Sequence, residues 1–147
     1  MNHLSKTLAI SFSVFYLVFL AGCSSIQQQS PSLFHQLGGN DGLDKLVDSF
    51  IQEIANDPRL FEFFRETKVS RFREKIREHL CALSDGPCTY TGDTMEDVHA
   101  GMHIQEADFN RMVEVLIRAM ENNDVPITVQ NKLLKRMAPM RDQIYKR

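Results

Sequence analysis

Along most of this sequence apolar residues return every three or four positions, and no stretch alternates long enough to build a sheet. Leu43, Leu46, Val47, Phe50, Ile51 and Ile54 make the first such stripe, behind Gly38-Gly39-Asn40-Asp41, which has the look of a turn and cap. The stripe stops near Asp57-Pro58, because proline pushes the residue before it out of the helical region. Leu60, Phe61, Phe63 and Phe64 then crowd a short segment. Phe72, Ile76, Leu80 and Leu83 define another helix, which Ser70 is expected to cap and the Asp85-Gly86-Pro87 turn to end. Met95, Val98, His99 and Met102 lie on a short helix, with Asp93 and Glu96 at capping-box spacing. Phe109, Met112, Val113, Leu116, Ile117 and Met120 mark a longer one that runs out at Asn122-Asn123. Pro126 suits the first turn of a last helix carrying Val129, Leu133, Met137, Met140 and Ile144, which Pro139 should kink. The pattern predicts an all-α domain, and periodicity alone does not separate a bundle from other helical packings.

The start of the chain follows other rules. Lys6 precedes an apolar run from Leu8 to Leu20 that is too short to span a membrane comfortably, and Leu20-Ala21-Gly22-Cys23 follows it directly. Small residues after such a run mark a cleaved export signal over residues 1–22. A cysteine at the cut resembles the bacterial lipoprotein box, which implies a lipid on the Cys23 thiol. Ser24 after it resembles lipoproteins passed to the outer membrane, so the expected location is that membrane, facing the periplasm. Residues 23–32 are polar and unpatterned and should form a flexible tether, leaving 33–147 as one domain.

Charge excludes one class of partner. With 17 Lys and Arg against 19 Asp and Glu, interleaved, no bulk field favours nucleic acid. Export would put Cys81 and Cys88 where a disulfide can persist. Seven helical residues hold two Cα atoms roughly 10 Å apart, beyond the ~7 Å limit, so a bond requires the chain to turn back at Asp85-Gly86-Pro87. The pair is either a staple or two free thiols.

No Cys/His cluster has zinc spacing and no nucleophile triad is identifiable. Beyond His3 and His35, the ligand candidates are His79, His99 and His103. By spacing, His99 is either a pocket-facing residue or a hydrogen-bonded structural histidine.

Ser32-Leu33-Phe34-His35-Gln36-Leu37-Gly38-Gly39, Asn56-Asp57-Pro58-Arg59-Leu60, Phe63-Phe64, Tyr90-Thr91-Gly92, Met95 and His99-Ala100-Gly101 before Ile104 together resemble the group I truncated haemoglobins, in order, from Ser32 to Ile144. The resemblance implies a two-over-two helical sandwich around haem b, with His99 as proximal iron ligand and Phe64 packed on the porphyrin. It implies a protein that binds oxygen, NO or CO reversibly. Nitric oxide dioxygenation or other detoxification would need an electron-supplying reductase.

Departures from the family pattern shape the expected cavity. Where many members carry a gas-binding tyrosine this chain has Ile51, and where a glutamine is common it has Ile76, with Phe72 one turn earlier. The space above the iron therefore reads as apolar. Lys75 stands where some members supply a sixth iron ligand; otherwise it snorkels over the haem edge to a propionate. Ligation by Lys75 would make a six-coordinate electron-transfer protein, and a haem-free structural lipoprotein is a further alternative. His79 is a weaker sixth-ligand candidate, one of Arg71, Arg73 and Arg77 could meet a haem carboxylate, and Met112 and Val113 are expected to line the cofactor.

Overall fold

The computed structural model describes residues 30–145. The expected signal segment, Cys23 and the tether as far as residue 29 lie outside them. Pro31–Arg147 forms one compact unit.

The chain enters its first helix, α1 (Leu33–Gln36), through Ser32, whose Oγ accepts from the His35 amide. Two glycines then reverse it. Gly38 sits at φ 91°, and a Cβ there would come within 2.9 Å of the Gly42 Cα, so only glycine fits this entry into α2. Helix α2 (Gly39–Asn56) buries Leu43, Leu46, Val47, Phe50 and Ile54 along one face. Each such burial contributes roughly 1.5–3 kcal/mol. Asp57 closes α2 and opens α3 (Pro58–Phe64), its carboxylate accepting from the amides of Arg59 and Leu60 at 3.1 Å each.

Helix α4 (Val69–Leu83) begins at an N-cap of Lys68 with no side-chain cap bond. Ser70 therefore lies inside the first turn, where the helix already satisfies its neighbours, and does not cap as expected. The C-terminus of α4 receives Arg136, which donates to the Leu83 carbonyl at 2.5 Å and to Asp85 at 2.6 Å. Helix α5 (Met95–His99) is capped by Thr94, whose Oγ1 accepts from the Asp97 amide at 3.1 Å, not by the expected Asp93 and Glu96 pair. The capping box instead opens α6 (Glu106–Glu121), where Asp108 accepts from the Gln105 amide at 2.9 Å. Pro126 is the N-cap of α7 (Ile127–Met137). Pro139 turns the chain through a 3₁₀ segment (Ala138–Met140) into α8 (Arg141–Ile144), as the proline rule demands.

Helix α2 packs against both α4 and α6, and α4 also touches α7. These long helices make the two-over-two sandwich, and the short α5 lies against α8 to one side. The core joins Leu46, Val47, Leu80, Val115, Met120 and Leu133 across four helices. Among the described residues no strand forms, and no helix is long and apolar enough to cross a membrane.

Cys81 and Cys88 form a disulfide, with Cα atoms 5.8 Å apart. Asp85 at φ 60° and Gly86 make the reversal that brings them together. A Cβ on Gly86 would lie 2.6 Å from Cys81 Sγ and 2.7 Å from Phe34, so the turn also tolerates no side chain.

Candidate functional site

Helix α4 presents Arg71, Phe72, Lys75, Ile76 and His79, with its N-cap Lys68, to one side at helical spacing, and that side lines a cavity of ≈ 650 Å³. Its volume falls within the ~300–1,000 Å³ typical of cofactor and small-molecule sites. Phe63 and Phe64 close it from α3, Met112 and Val113 from α6, and Met137, Met140 and Ile144 from the kinked C-terminal segment. Helix α5 supplies the remaining wall with Met95, Val98 and His99. Five methionines line the space in all, Met95, Met102, Met112, Met137 and Met140, which gives it soft, adaptable walls.

His99 is half-buried, and its Nδ1 lies 2.6 Å from the Met95 carbonyl oxygen. A carbonyl only accepts, so Nδ1 carries a proton, and in the neutral ring Nε2 holds the lone pair. Such a ring is preorganised as a metal ligand, with its tautomer and orientation set by the main chain.

Phe72 and Phe64 meet in the cavity wall with ring centroids 4.9 Å apart. Ile76 lines the cavity beside them. Ile51, expected there too, is instead half-buried against the core, and it is Phe50 that lines the cavity. Neighbouring positions on a helix differ by about 100° in direction, so Phe50 reaches both core and cavity while Ile51, one residue on, does not line the cavity. The wall at this point is apolar either way.

Lys75 lines the cavity edge, but its amine is engaged. Nζ donates to Glu74 at 2.8 Å, to Glu78 at 3.1 Å and to Thr91 Oγ1 at 2.7 Å. The Glu74 bond, opposed by burial and aided by Glu78, raises its pKa and holds the ammonium form. This placement is neither a free amine over the cavity nor a solvent-facing cation. Glu78 in turn is held below the usual carboxylate range by the amide and hydroxyl of Thr91, with Lys75 adding to them.

His79 packs edge-on against Tyr90, centroids 4.9 Å apart, and burial lowers its pKa, so the ring stays neutral near pH 7. Of the three arginines on α4, only Arg71 lines the cavity. Arg73 makes a two-pronged bond to Asp48, and Arg77 bonds Asp44 and Asn40, which fastens the opposite face of α4 to α2. Arg71 is exposed and pairs with Asp93 at 3.8 Å. His103 is exposed and does not line the cavity.

Sequence reasoning passed over Phe50, the methionines of the C-terminal segment, and Tyr90 as a wall residue. Tyr90 stood within the Tyr90-Thr91-Gly92 motif, the one signal that could have pointed to it. No local pattern shows that a loop will fold back on a helix.

An all-helical chain that wraps two pairs of long helices around an apolar cavity, with one correctly tautomerised histidine in its wall, has the architecture of a truncated globin. Residues 32–146 match the family described as bacterial-like globin. The chain is 30% identical over 113 residues to a group 1 truncated haemoglobin of Mycolicibacterium paratuberculosis, covering 77% of this chain and 83% of that protein. It is 27% identical over 94 residues to one of Tetrahymena thermophila, covering 64% and 78%. Its fold is similar to the Fe(III) form of the truncated haemoglobin from Tetrahymena pyriformis, at a TM-score of 0.77 and 25% identity over 80% of this chain and 100% of that one. The 2/2 haemoglobin from Synechococcus, with covalently attached haem, shares the fold at a TM-score of 0.74 and 19% identity over 80% and 100%. This protein belongs to the bacterial-like globins and, within them, to the group 1 truncated haemoglobins.

Proposed function

We propose that the protein is a haem b globin that binds a diatomic gas reversibly at an iron held by His99. The observation that carries this is the Met95 carbonyl on His99 Nδ1, within a cavity of cofactor size. Among the described residues no group of three or more His, Cys, Asp or Glu could hold a bare metal ion. A single imidazole suits a metal whose other donors arrive with it, as in a porphyrin.

The residues present fit that group. Phe64, Phe72, Ile76 and the methionines offer the apolar surface that a porphyrin face requires, and Lys68 and Arg71 stand at the cavity edge where carboxylates would meet cations. When bound there, haem would supply an iron able to take up the gas. The chain's own residues orient the proximal imidazole, exclude water with aromatic and aliphatic walls, and place no uncommitted polar donor at Phe72 or Ile76. Polar stabilisation of the gas is therefore weak at those two positions.

The test is reconstitution with haemin followed by visible spectroscopy of the wild type and His99→Ala. An intense Soret band in the first and its loss in the second are expected. A colourless wild type, or a variant that retains haem normally, rejects the reading. We also propose that Cys23 carries the lipid that tethers the domain to a bacterial membrane, the outer membrane facing the periplasm. The apolar run ending in Leu20-Ala21-Gly22-Cys23 supports this. Intact mass of the protein purified from membranes should show a diacylglycerol-modified N-terminal cysteine, and a Cys23→Ala protein that still partitions with membranes would rule the anchor out.

A further inference from the structure

Lys75 and Glu78 stand one turn apart on α4 and are both largely withdrawn from solvent, with 18% and 22% of their side chains exposed. Together with Thr91 they close a ring of hydrogen bonds. Lys75 Nζ donates to Thr91 Oγ1 at 2.7 Å, that hydroxyl donates to Glu78 Oε2 at 2.8 Å, and the same carboxylate accepts from Lys75 at 3.1 Å. The Thr91 amide adds a fourth bond to Glu78 at 3.0 Å. Glu74 is the remaining anion on Lys75, but it is 61% exposed, where water and salt weaken an ion pair. Three residues before Thr91, the Cys88 disulfide pins the same loop to α4, so the ring is anchored through the chain as well.

We propose that Glu78 is a positioning residue for gas binding: it holds the Lys75 amine on Thr91 at the cavity wall and so keeps it from coordinating an iron that His99 would hold. This inference rests on the haem-globin reading of the site. An amine binds a metal through its nitrogen lone pair, so Lys75 must first give up a proton to water; held as an ammonium by Glu74, Glu78 and Thr91 it has no lone pair to offer, and loss of the Glu78 carboxylate makes that deprotonation easier. The Lys75 side chain lines the same cavity as His99, so release from Glu78 leaves its amine free to move within that cavity. A ligand from the protein on that iron would compete directly with the gas.

The experiment uses haemin-reconstituted protein, reduced, at pH 7 and without added gas. The wild type should give a five-coordinate, high-spin ferrous spectrum. Glu78→Gln should give a six-coordinate, low-spin component, and Glu78→Gln combined with Lys75→Ala should lose it again. Thr91→Val opens the same ring without removing a charge and should shift the spectrum in the same direction, which guards against a Gln variant that folds poorly. Where roughly nine-tenths of the iron carries the amine, apparent affinity for carbon monoxide falls about tenfold. A coloured wild type that is already six-coordinate through Lys75, or Gln and Val variants that both stay five-coordinate, overturns the role of Glu78 alone. Protein that takes up no haem overturns this role and the haem-globin reading together.

Discussion

The ring of His99 is set by the main chain one turn before it: Nδ1–H donates to the carbonyl oxygen of Met95 at 2.6 Å, so that this contact leaves Nε2 unused. Because the acceptor is backbone, no side-chain substitution at Met95 removes it. The imidazole itself is the vulnerable part.

His99→Gly should therefore abolish stable haem retention, and free imidazole added to the medium should restore a Soret band, since it can occupy the vacated space. Haem transfer to apomyoglobin, followed by absorbance, measures this. Retention equal to wild type without imidazole would show that another side chain holds the iron.

Ile76→Gln would add an amide donor to an apolar stretch of the cavity wall. A hydrogen bond worth about 1.4 kcal/mol corresponds to tenfold slower oxygen dissociation. Stopped-flow displacement of oxygen by carbon monoxide reads the rate directly, and an unchanged or faster rate would place Ile76 away from the gas.

Two aspartates lock α3 to α6. Asp57 caps α3 while accepting from Arg111 at 2.5 Å, and Asp108 caps α6 while pairing with Arg59. Burial alone would raise both carboxyls, but for Asp57 the Leu60 amide and Arg111 outweigh it, and for Asp108 Arg59 and the Gln105 amide do, so both end lowered. A carboxyl whose folded pKa lies below its unfolded value of ~3.9 contributes stability that is complete above that pH and lost as pH falls through the folded value. Urea midpoints should hold from pH 7 to about 5 and drop steeply below 4, and Asp57→Asn should flatten that drop. Asp57→Ala, losing cap and charged bond together, should cost roughly 2–3 kcal/mol at pH 7. Stability that rises on acidification below pH 4 would contradict the assignment.

The Cys81–Cys88 bridge closes a short loop, with a sequence separation of 7, and chain entropy assigns such a closure about 2.5 kcal/mol. Reduction, or paired Cys81→Ala and Cys88→Ala substitution, should lower unfolding stability by about that amount. Thr91 amide exchange should quicken as well, because the loop loses its covalent anchor to α4. A reduced protein with unchanged urea midpoint and unchanged exchange would mean the fold of this loop owes nothing to the bond.

The helices were legible in the sequence wherever one face is buried, because burial of that face writes a 3.6-residue period into the chain. That is how α2, α4, α6 and α7 show themselves, and why Pro139 announces its own kink. Cap residues were less legible: Ser70 and Thr94 are equally good acceptors in isolation, and which of them caps depends on where the preceding loop delivers the chain. Ile51 and Phe50 show the same limit inside a helix, since both are apolar and a rotation of one residue decides which meets the cavity.

The family, a pocket-facing His99 and the apolar cavity wall were thus present in the order and type of residues alone, as local chemistry carried along one dimension. Tertiary structure alone decided that Thr91 meets Lys75 and Glu78, that the two thiols form a disulfide, and which arginines of α4 are tied to α2 and so turned from the cavity. Each of these joins groups from separate elements, α4 to the Thr91 loop or to α2. A sequence states which hydrogen-bonding and ionic groups exist, whereas only packing brings two of them within the ~3 Å at which they bond.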